Sequence, residues 1–255
     1  MSRYNIVSTI FLTLFIGSLA IDGSYSIPWW WYAGLISIFL VICIYGSIVL
    51  SSSYFIRVKS TGKGERVALT FDDGPLPGMT DKILDVLNSH NVKATFFCIG
   101  HRVQKNPEIV ERIDREGHLI GNHTFWHGPL FDLKSSSMMT KELADTDAVL
   151  TKVISRRPRF FRPPYGVTNP MLSKAVRRRN YTVIGWSIRS FDSVTRDPEK
   201  LYRRITRRIG AGDVVLLHDY SESMLAILPR IIEHVQQNGL KIVRVDEMFN
   251  ERGYV

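Results

Sequence analysis

Thr70-Phe71-Asp72-Asp73-Gly74-Pro75 sets two adjacent carboxylates against a Gly-Pro turn. The apolar Val67-Ala68-Leu69 before them reads as a buried strand, so both acids sit where a strand ends. Side by side and short of solvent, two carboxylates repel each other and call for a compensating cation, most simply a metal ion and an arginine.

Outward from this stretch, apolar segments and helix caps alternate. A helix over 80–88 precedes a strand over 93–99, and Asn106-Pro107-Glu108 reads as an N-cap with proline at the first helical position of a helix ending at Gly117. A strand over 118–122, a Ser-rich loop, a helix over 140–154 and a strand over 159–162 follow. Asn169-Pro170 and Asp197-Pro198-Glu199 repeat the cap chemistry. Strands over 181–187, 214–218 and 241–245, with a helix over 224–237, complete the pattern. About seven such alternations predict an α/β fold with a parallel sheet covered by helices, either a barrel or doubly wound. A distorted (β/α) barrel is preferred because every polar cluster follows a strand: Asp72-Asp73, His123 to His127, Arg162 to Tyr165, Asp192 and His218-Asp219. Barrel strand ends converge on one face, whereas an open sheet offers mainly one crevice.

His123-Thr124-Phe125-Trp126-His127 places two imidazoles four residues apart, and one helical turn would aim both rings the same way. With Asp73 they make a three-ligand set with open positions, as catalytic zinc or a related divalent ion requires. The same set describes non-haem iron oxygenases. Two further residues separate the readings: Asp72 can take a proton from an activated water, and His218 can give one to a leaving amine. Together they point to amide hydrolysis.

At these residues the chain resembles a known family. Thr70-Phe71-Asp72-Asp73-Gly74, His123-Thr124-Phe125-Trp126-His127, Arg162-Pro163-Pro164-Tyr165-Gly166 and Leu216-Leu217-His218-Asp219 are similar to the ordered motifs of the polysaccharide deacetylases, also called the NodB-homology or carbohydrate esterase 4 family, across roughly 66–249. The resemblance implies a distorted (β/α) barrel and metal-dependent removal of an N-acetyl or related acyl group from an amino sugar in a glycan or glycolipid. By matching position it implies Asp72 as general base, Asp73, His123 and His127 as metal ligands, and His218 as general acid. Zinc is the first choice of metal, with cobalt, nickel or manganese as alternatives. It further implies that Arg162 holds Asp72 ionised, that Asp192 tethers Arg162, and that the Tyr165 N–H helps stabilise the oxyanion. The family's usual Asp-x-x-Asp-Trp reads here Arg189-Ser190-Phe191-Asp192-Ser193. Arg189 in place of the first acid either reads an anionic substrate, such as a phosphate-bearing sugar, or serves a surface salt bridge.

At 255 residues and 45% hydrophobic content, the chain suits one domain with an appendage. The net charge of +9 is not accompanied by a nucleic-acid motif, and a membrane surface is the better partner. Cys43 and Cys98, the two cysteines, support neither a disulfide framework nor a thiolate metal site. Two uncharged apolar runs, 5–21 and 29–50, predict a transmembrane hairpin over 1–58 ahead of a catalytic domain over 59–255. Trp29-Trp30-Trp31-Tyr32 suits an interfacial belt. The first run also reads as a signal peptide with Ser18-Leu19-Ala20 as its small-residue site. Arg3 before the hairpin and Arg57, Lys59, Lys63 and Arg66 after it place both ends in the cytoplasm of an inner-membrane protein. The partners expected are an amino-sugar glycan or lipid-linked sugar and membrane lipid, with no nucleic acid and no protein partner indicated. A catalytically silent glycan-binding membrane protein is the other class to weigh. Trp126 and Trp186 are core or sugar-stacking aromatics, and Arg203, Arg204, Arg207 and Arg208 form a basic face toward lipid or solvent.

Overall fold

The structure is a computed structural model that describes residues 2–255. Nine strands occur among these residues: β1 Val58–Lys59, β2 Arg66–Asp72, β3 Thr95–Cys98, β4 Leu119–Asn122, β5 Phe160–Phe161, β6 Thr182–Ile184, β7 Ile188–Arg189, β8 Val214–His218 and β9 Lys241–Ile242. Their order is β1-β6-β5-β4-β3-β2-β8-β7, with β9 beside the start of β2, and every pairing is parallel.

The shape follows from one short connection. Strand β7 ends one side of the sheet and β6 lies next to the other end, yet only Gly185-Trp186-Ser187 join them. Four residue steps span at most ~14 Å, so the sheet must curl until its ends almost meet. Gly185 N–H donates to the Lys59 carbonyl at 2.9 Å and Ser187 N–H to the Val214 carbonyl at 3.0 Å, linking the two sides across the gap. The result is the expected distorted barrel, with nine strands rather than about seven. Two-residue strands such as β1 and β7 are too short to show periodicity in sequence. The strand expected over 181–187 breaks at Gly185, where a Cβ would come within 2.4 Å of Ser60 Oγ, and resumes as β7.

The helices are α1 Arg3–Tyr25, α2 Trp29–Ile48, α3 Thr80–Ser89, α4 Gly100–Lys105, α5 Pro107–Arg115, α6 Ser136–Ile154, α7 Pro170–Arg179, α8 Pro198–Thr206, α9 Glu222–Gln237 and α10 Val245–Phe249. Asn169 and Asp197 cap α7 and α8 as expected, accepting from Leu172 N–H at 2.8 Å and Glu199 N–H at 2.9 Å. Asn106 does not cap with its side chain: α4 comes immediately before it, and its amide turns back to the Arg102 carbonyl. Helix α6 starts earlier than expected because Ser135 caps it, and the strand expected over 241–245 gives way to α10.

Strand β2 is buried on both faces, which explains why Val67, Ala68, Leu69 and Phe71 on its two sides are all apolar. Val67, Leu69 and Phe71 pack in the layer with Ile83, Leu87, Leu228 and Ile231 of α3 and α9. Ala68 belongs to a second cluster with Phe97, Phe160, Ile184 and Val214.

Helices α1 and α2 are long and apolar enough to cross a membrane. Phe11 stacks on Phe39 at 4.5 Å between them. Their base is fastened to the barrel: Tyr4, Val7, Ile42 and Cys43 pack against a cluster containing Phe131, Phe161 and Leu172. Thr168 donates its N–H to the Ser47 carbonyl at 3.0 Å and its hydroxyl to the Gly46 carbonyl at 3.3 Å. Cys43 and Cys98 are free thiols.

Candidate active site

The C-terminal ends of the strands supply the expected residues to one rim. Asp72 and His218 are the last residues of β2 and β8, His123 follows β4, Arg162 follows β5, and Asp192 lies just beyond β7. A cavity of about 160 Å³ there is lined by Asp72, Asp73, His123, His127, Tyr165, Trp186, Arg189, Ser193 and His218, among others.

Asp73, His123 and His127 form one group whose ligand atoms all lie within 4.8 Å of one another. Asp73 Oδ1 is 3.5 Å from His123 Nε2 and 3.4 Å from His127 Nε2, and it is buried without a hydrogen-bond partner. His123 Nδ1 lies 2.8 Å from the Arg162 carbonyl, which can only accept. Nδ1 therefore carries a proton, which leaves Nε2, facing Asp73, as the nitrogen available to a metal ion. A buried carboxylate oxygen without a donor, facing two imidazole nitrogens, fits a divalent cation.

The segment 123–127 is not the helical turn that the four-residue spacing suggests. Thr124 and His127 adopt left-handed φ of +64° and +51°. The loop is held from outside: Glu142 accepts Phe125 N–H at 3.2 Å and Trp126 N–H at 3.1 Å, and Lys134 pairs with the same carboxylate. Asn122 Oδ1 accepts Thr124 N–H at 2.9 Å while its amide donates to the Leu143 carbonyl and the Tyr181 hydroxyl. Sequence reasoning missed both supports. Their signals are present: Asn122 is a polar end to an apolar strand, and Glu142 is an acid on the face of α6 that buries Met139, Leu143 and Thr146.

Arg162 and Asp72 are buried and paired at 2.7 Å. The guanidinium also donates to Thr70 Oγ1 at 2.8 Å, to the Gly185 carbonyl at 2.8 Å and to the Ile184 carbonyl at 3.3 Å, and lies 4.2 Å over the Phe97 ring. The expected tether from Asp192 to Arg162 is absent. Asp192 instead takes His218, with Oδ1 2.7 Å from Nδ1 and Oδ2 accepting the His218 N–H at 2.8 Å. The cause is topological: Arg162 enters from β5 and finds the carbonyls at the end of β6, whereas Asp192 hangs from the loop after β7 beside β8.

These contacts set the charges. Burial alone would depress the His218 imidazolium, but the Asp192 hydrogen bond and charge, with Asp72 and Asp73 nearby, raise its pKa above 6.5. Burial and the neighbouring His123 push His127 down to about 4. Burial works against ionising Asp73, yet His123, His127 and His218 hold its carboxyl below the ordinary range. Asp219, which sequence reasoning left without a role, is fully buried; burial pushes it up to about 7, and Thr80 donates to it at 2.7 Å. A Cβ at residue 74 would stand 2.0 Å from Asp219 Oδ2, which explains the glycine after Asp73.

Tyr165 has φ of +56°, is half-exposed, and donates its hydroxyl to the His127 carbonyl at 3.2 Å. Of the two tryptophans, Trp126 is 60% exposed and stacks on His101, so it is not core, while Trp186 lines the cavity.

The rim thus carries a triad able to hold a cation between a carboxylate–guanidinium pair and a carboxylate–imidazole pair, an arrangement suited to a hydrolase. The comparisons with known proteins agree. The family model described as polysaccharide deacetylase matches residues 59–184. A peptidoglycan-N-acetylglucosamine deacetylase of Bacillus cereus is 35% identical over 187 residues, covering 72% of this chain and 68% of the relative. The peptidoglycan-N-acetylglucosamine deacetylase PgdA of Listeria monocytogenes is 32% identical over 196 residues, 77% of this chain but 41% of its own length. Among solved structures, the Bc1960 peptidoglycan N-acetylglucosamine deacetylase superposes with a TM-score of 0.71 at 32% identity, covering 76% of this chain and 94% of that one. The chain belongs to the polysaccharide deacetylase family, carbohydrate esterase family 4.

Proposed function

We propose that this chain is a membrane-anchored, metal-dependent deacetylase that removes an N-acyl group, acetyl first, from an amino sugar. The reading rests on one observation: Asp72 and His218 face the same cavity as the Asp73, His123 and His127 triad, each held by its own charged partner. A bound divalent ion, zinc foremost, would polarise the scissile carbonyl and acidify a water held beside it. Asp73, His123 and His127 would hold that ion. Asp72, kept in place by Arg162, takes a proton from the attacking water as its oxygen adds to the acyl carbon. The Tyr165 N–H donates to the developing oxyanion. His218, oriented by Asp192, gives its proton to the nitrogen as the C–N bond breaks, leaving a carboxylate and a free amine. An oxygenase or a silent glycan-binding protein would have no use for both the base and the acid.

Residues 1–58 form the anchor in this proposal and 59–255 the catalytic domain. The basic residues flanking the hairpin favour a cytoplasmic active site, for which a lipid-linked or nucleotide-linked amino sugar is within reach. An outer placement would make peptidoglycan the substrate, as the names of the relatives have it. The test is acetate release by the full chain in detergent from N-acetylated sugar oligomers, with and without chelator. Activity indifferent to chelation, or retained in Asp72→Asn, would sink the mechanism. A reporter fused after Val255 that works only outside the cell would sink the cytoplasmic placement.

A further inference from the structure

Arg189 is the cavity-lining cation that the proposed chemistry leaves unused. Its guanidinium makes no hydrogen bond or ion pair among the described residues; it lies 4.9 Å from the Phe191 ring and 5.9 Å from the Trp186 ring. The Arg204 guanidinium of α8 approaches the same Phe191 ring at 4.2 Å. Two like charges are therefore gathered at one aromatic ring, and neither forms an ion pair among the described residues. Their mutual repulsion is relieved by an anion, and guanidinium forks match carboxylate and phosphate oxygens.

The charge continues past Arg204. Lys200, Arg203, Arg204, Arg207 and Arg208 line a surface hollow of about 630 Å³, and none forms an ion pair among the described residues, although Arg203 is near enough to Glu199 for its charge to be felt there. The acids of this helix are engaged elsewhere: Glu199 pairs with Arg230, and Asp197 caps the N-terminus. A simple solvated face would stop at the helix, but this one runs by way of Phe191 into the cavity. Phe191 itself has a left-handed φ of +63°, an uncommon conformation for an aromatic residue, and this backbone turn carries its ring to the two arginines.

We propose that Arg189, Arg204 and the basic face of α8 form a track for an amino-sugar glycan bearing anionic groups, carboxylate or phosphate, with the reacting sugar in the cavity and its charged neighbours along the helix. This rests on the deacetylase reading for the cavity alone; the track is a binding claim that stands or falls separately. Exposed cations act through screened attraction, so the preference is salt-dependent.

The test uses the full chain in non-ionic detergent with three N-acetylated oligomers of equal length: neutral, carboxylate-bearing and phosphate-bearing. Binding and acetate release are measured at low and high salt. At low salt at least one anionic oligomer is expected to bind about tenfold more tightly than the neutral one, with the advantage shrinking as salt rises; which anion wins identifies the group. Arg189→Ala and the double variant Arg203→Ala/Arg207→Ala should each reduce the anionic-to-neutral ratio by about three- to tenfold, and Arg189→Lys should restore part of it. A ratio near one in the unaltered chain, or one unmoved by these substitutions, overturns the track. So does a basic face that responds to vesicles of anionic lipid but not to the oligomers. Acetate released from none of the oligomers defeats the deacetylase reading, while the binding ratio still decides the track.

Discussion

Removing the Arg162 side chain while keeping its bulk, as in Arg162→Met, leaves Asp72 buried and charged with its partner gone. Breaking a buried ion pair from one side costs about 3–5 kcal/mol. In a folded unit of this size each kcal/mol moves Tm by about 2–4 °C, so the drop should be roughly 6–20 °C. Asp72→Asn also strands a charge, that of the buried guanidinium, but should cost less because an amide oxygen and the Ile184 and Gly185 carbonyls still accept from it. The sharp expectation concerns the double variant Asp72→Asn/Arg162→Met. With no buried charge left, it should be more stable than Arg162→Met and regain about half of the loss. Thermal melts of the four proteins in detergent, with chelator present so that no metal compensates, form a double-mutant cycle. Acetate release should fall by about 10²–10⁴ in each single variant and little further in the double, because the two residues act as one unit. If Arg162→Met lowers Tm by the same amount in the unaltered chain and in the Asp72→Asn background, Arg162 is not what compensates Asp72, and the reasoning is refuted.

Three further outcomes are expected. Because Asp192 raises the His218 pKa above 6.5, the protonated acid persists past that pH, and kcat/KM should decline only above it; Asp192→Asn should shift the declining limb to lower pH, and an unmoved limb removes Asp192 from this role. Chelation should abolish acetate release and a divalent ion restore it, whereas His123→Ala should lower the metal bound per chain as measured by elemental analysis. Glu142→Gln, which keeps the bulk but weakens the acceptor for Phe125 and Trp126, should loosen metal affinity by about 10–100-fold while Tm changes little; unaltered affinity would mean that the 123–127 loop holds its own shape.

What the sequence made legible was local. Asp72 and Asp73 are adjacent, their strand is apolar on both faces, and the caps at Asn169 and Asp197 act within three residues, so each could be read in place. The barrel followed because the polar clusters come after strands. The partner of Asp192 was not legible, because it depends on which strand β7 pairs with, and a two-residue strand leaves no periodic trace. The shape of the His123–His127 loop was hidden for a related reason. It is fixed by Glu142 and by the ties from Asn122 to Leu143 and Tyr181, contacts that join residues distant in sequence.

If α1 and α2 anchor the chain as proposed, the hydrogen bonds from Thr168 to the last turn of α2 would set the height of the cavity over the bilayer. Tyr165, on the cavity rim, is three residues away, at most ~10 Å of chain. In a bilayer crossed by α1 and α2, the cavity is then mounted close above the headgroups on a stiff bracket, with no long tether to swing on. Anchored in this way, the enzyme would sample a thin layer beside the membrane, within reach of sugars carried on lipid, and a glycan farther out would have to fold down to be reached.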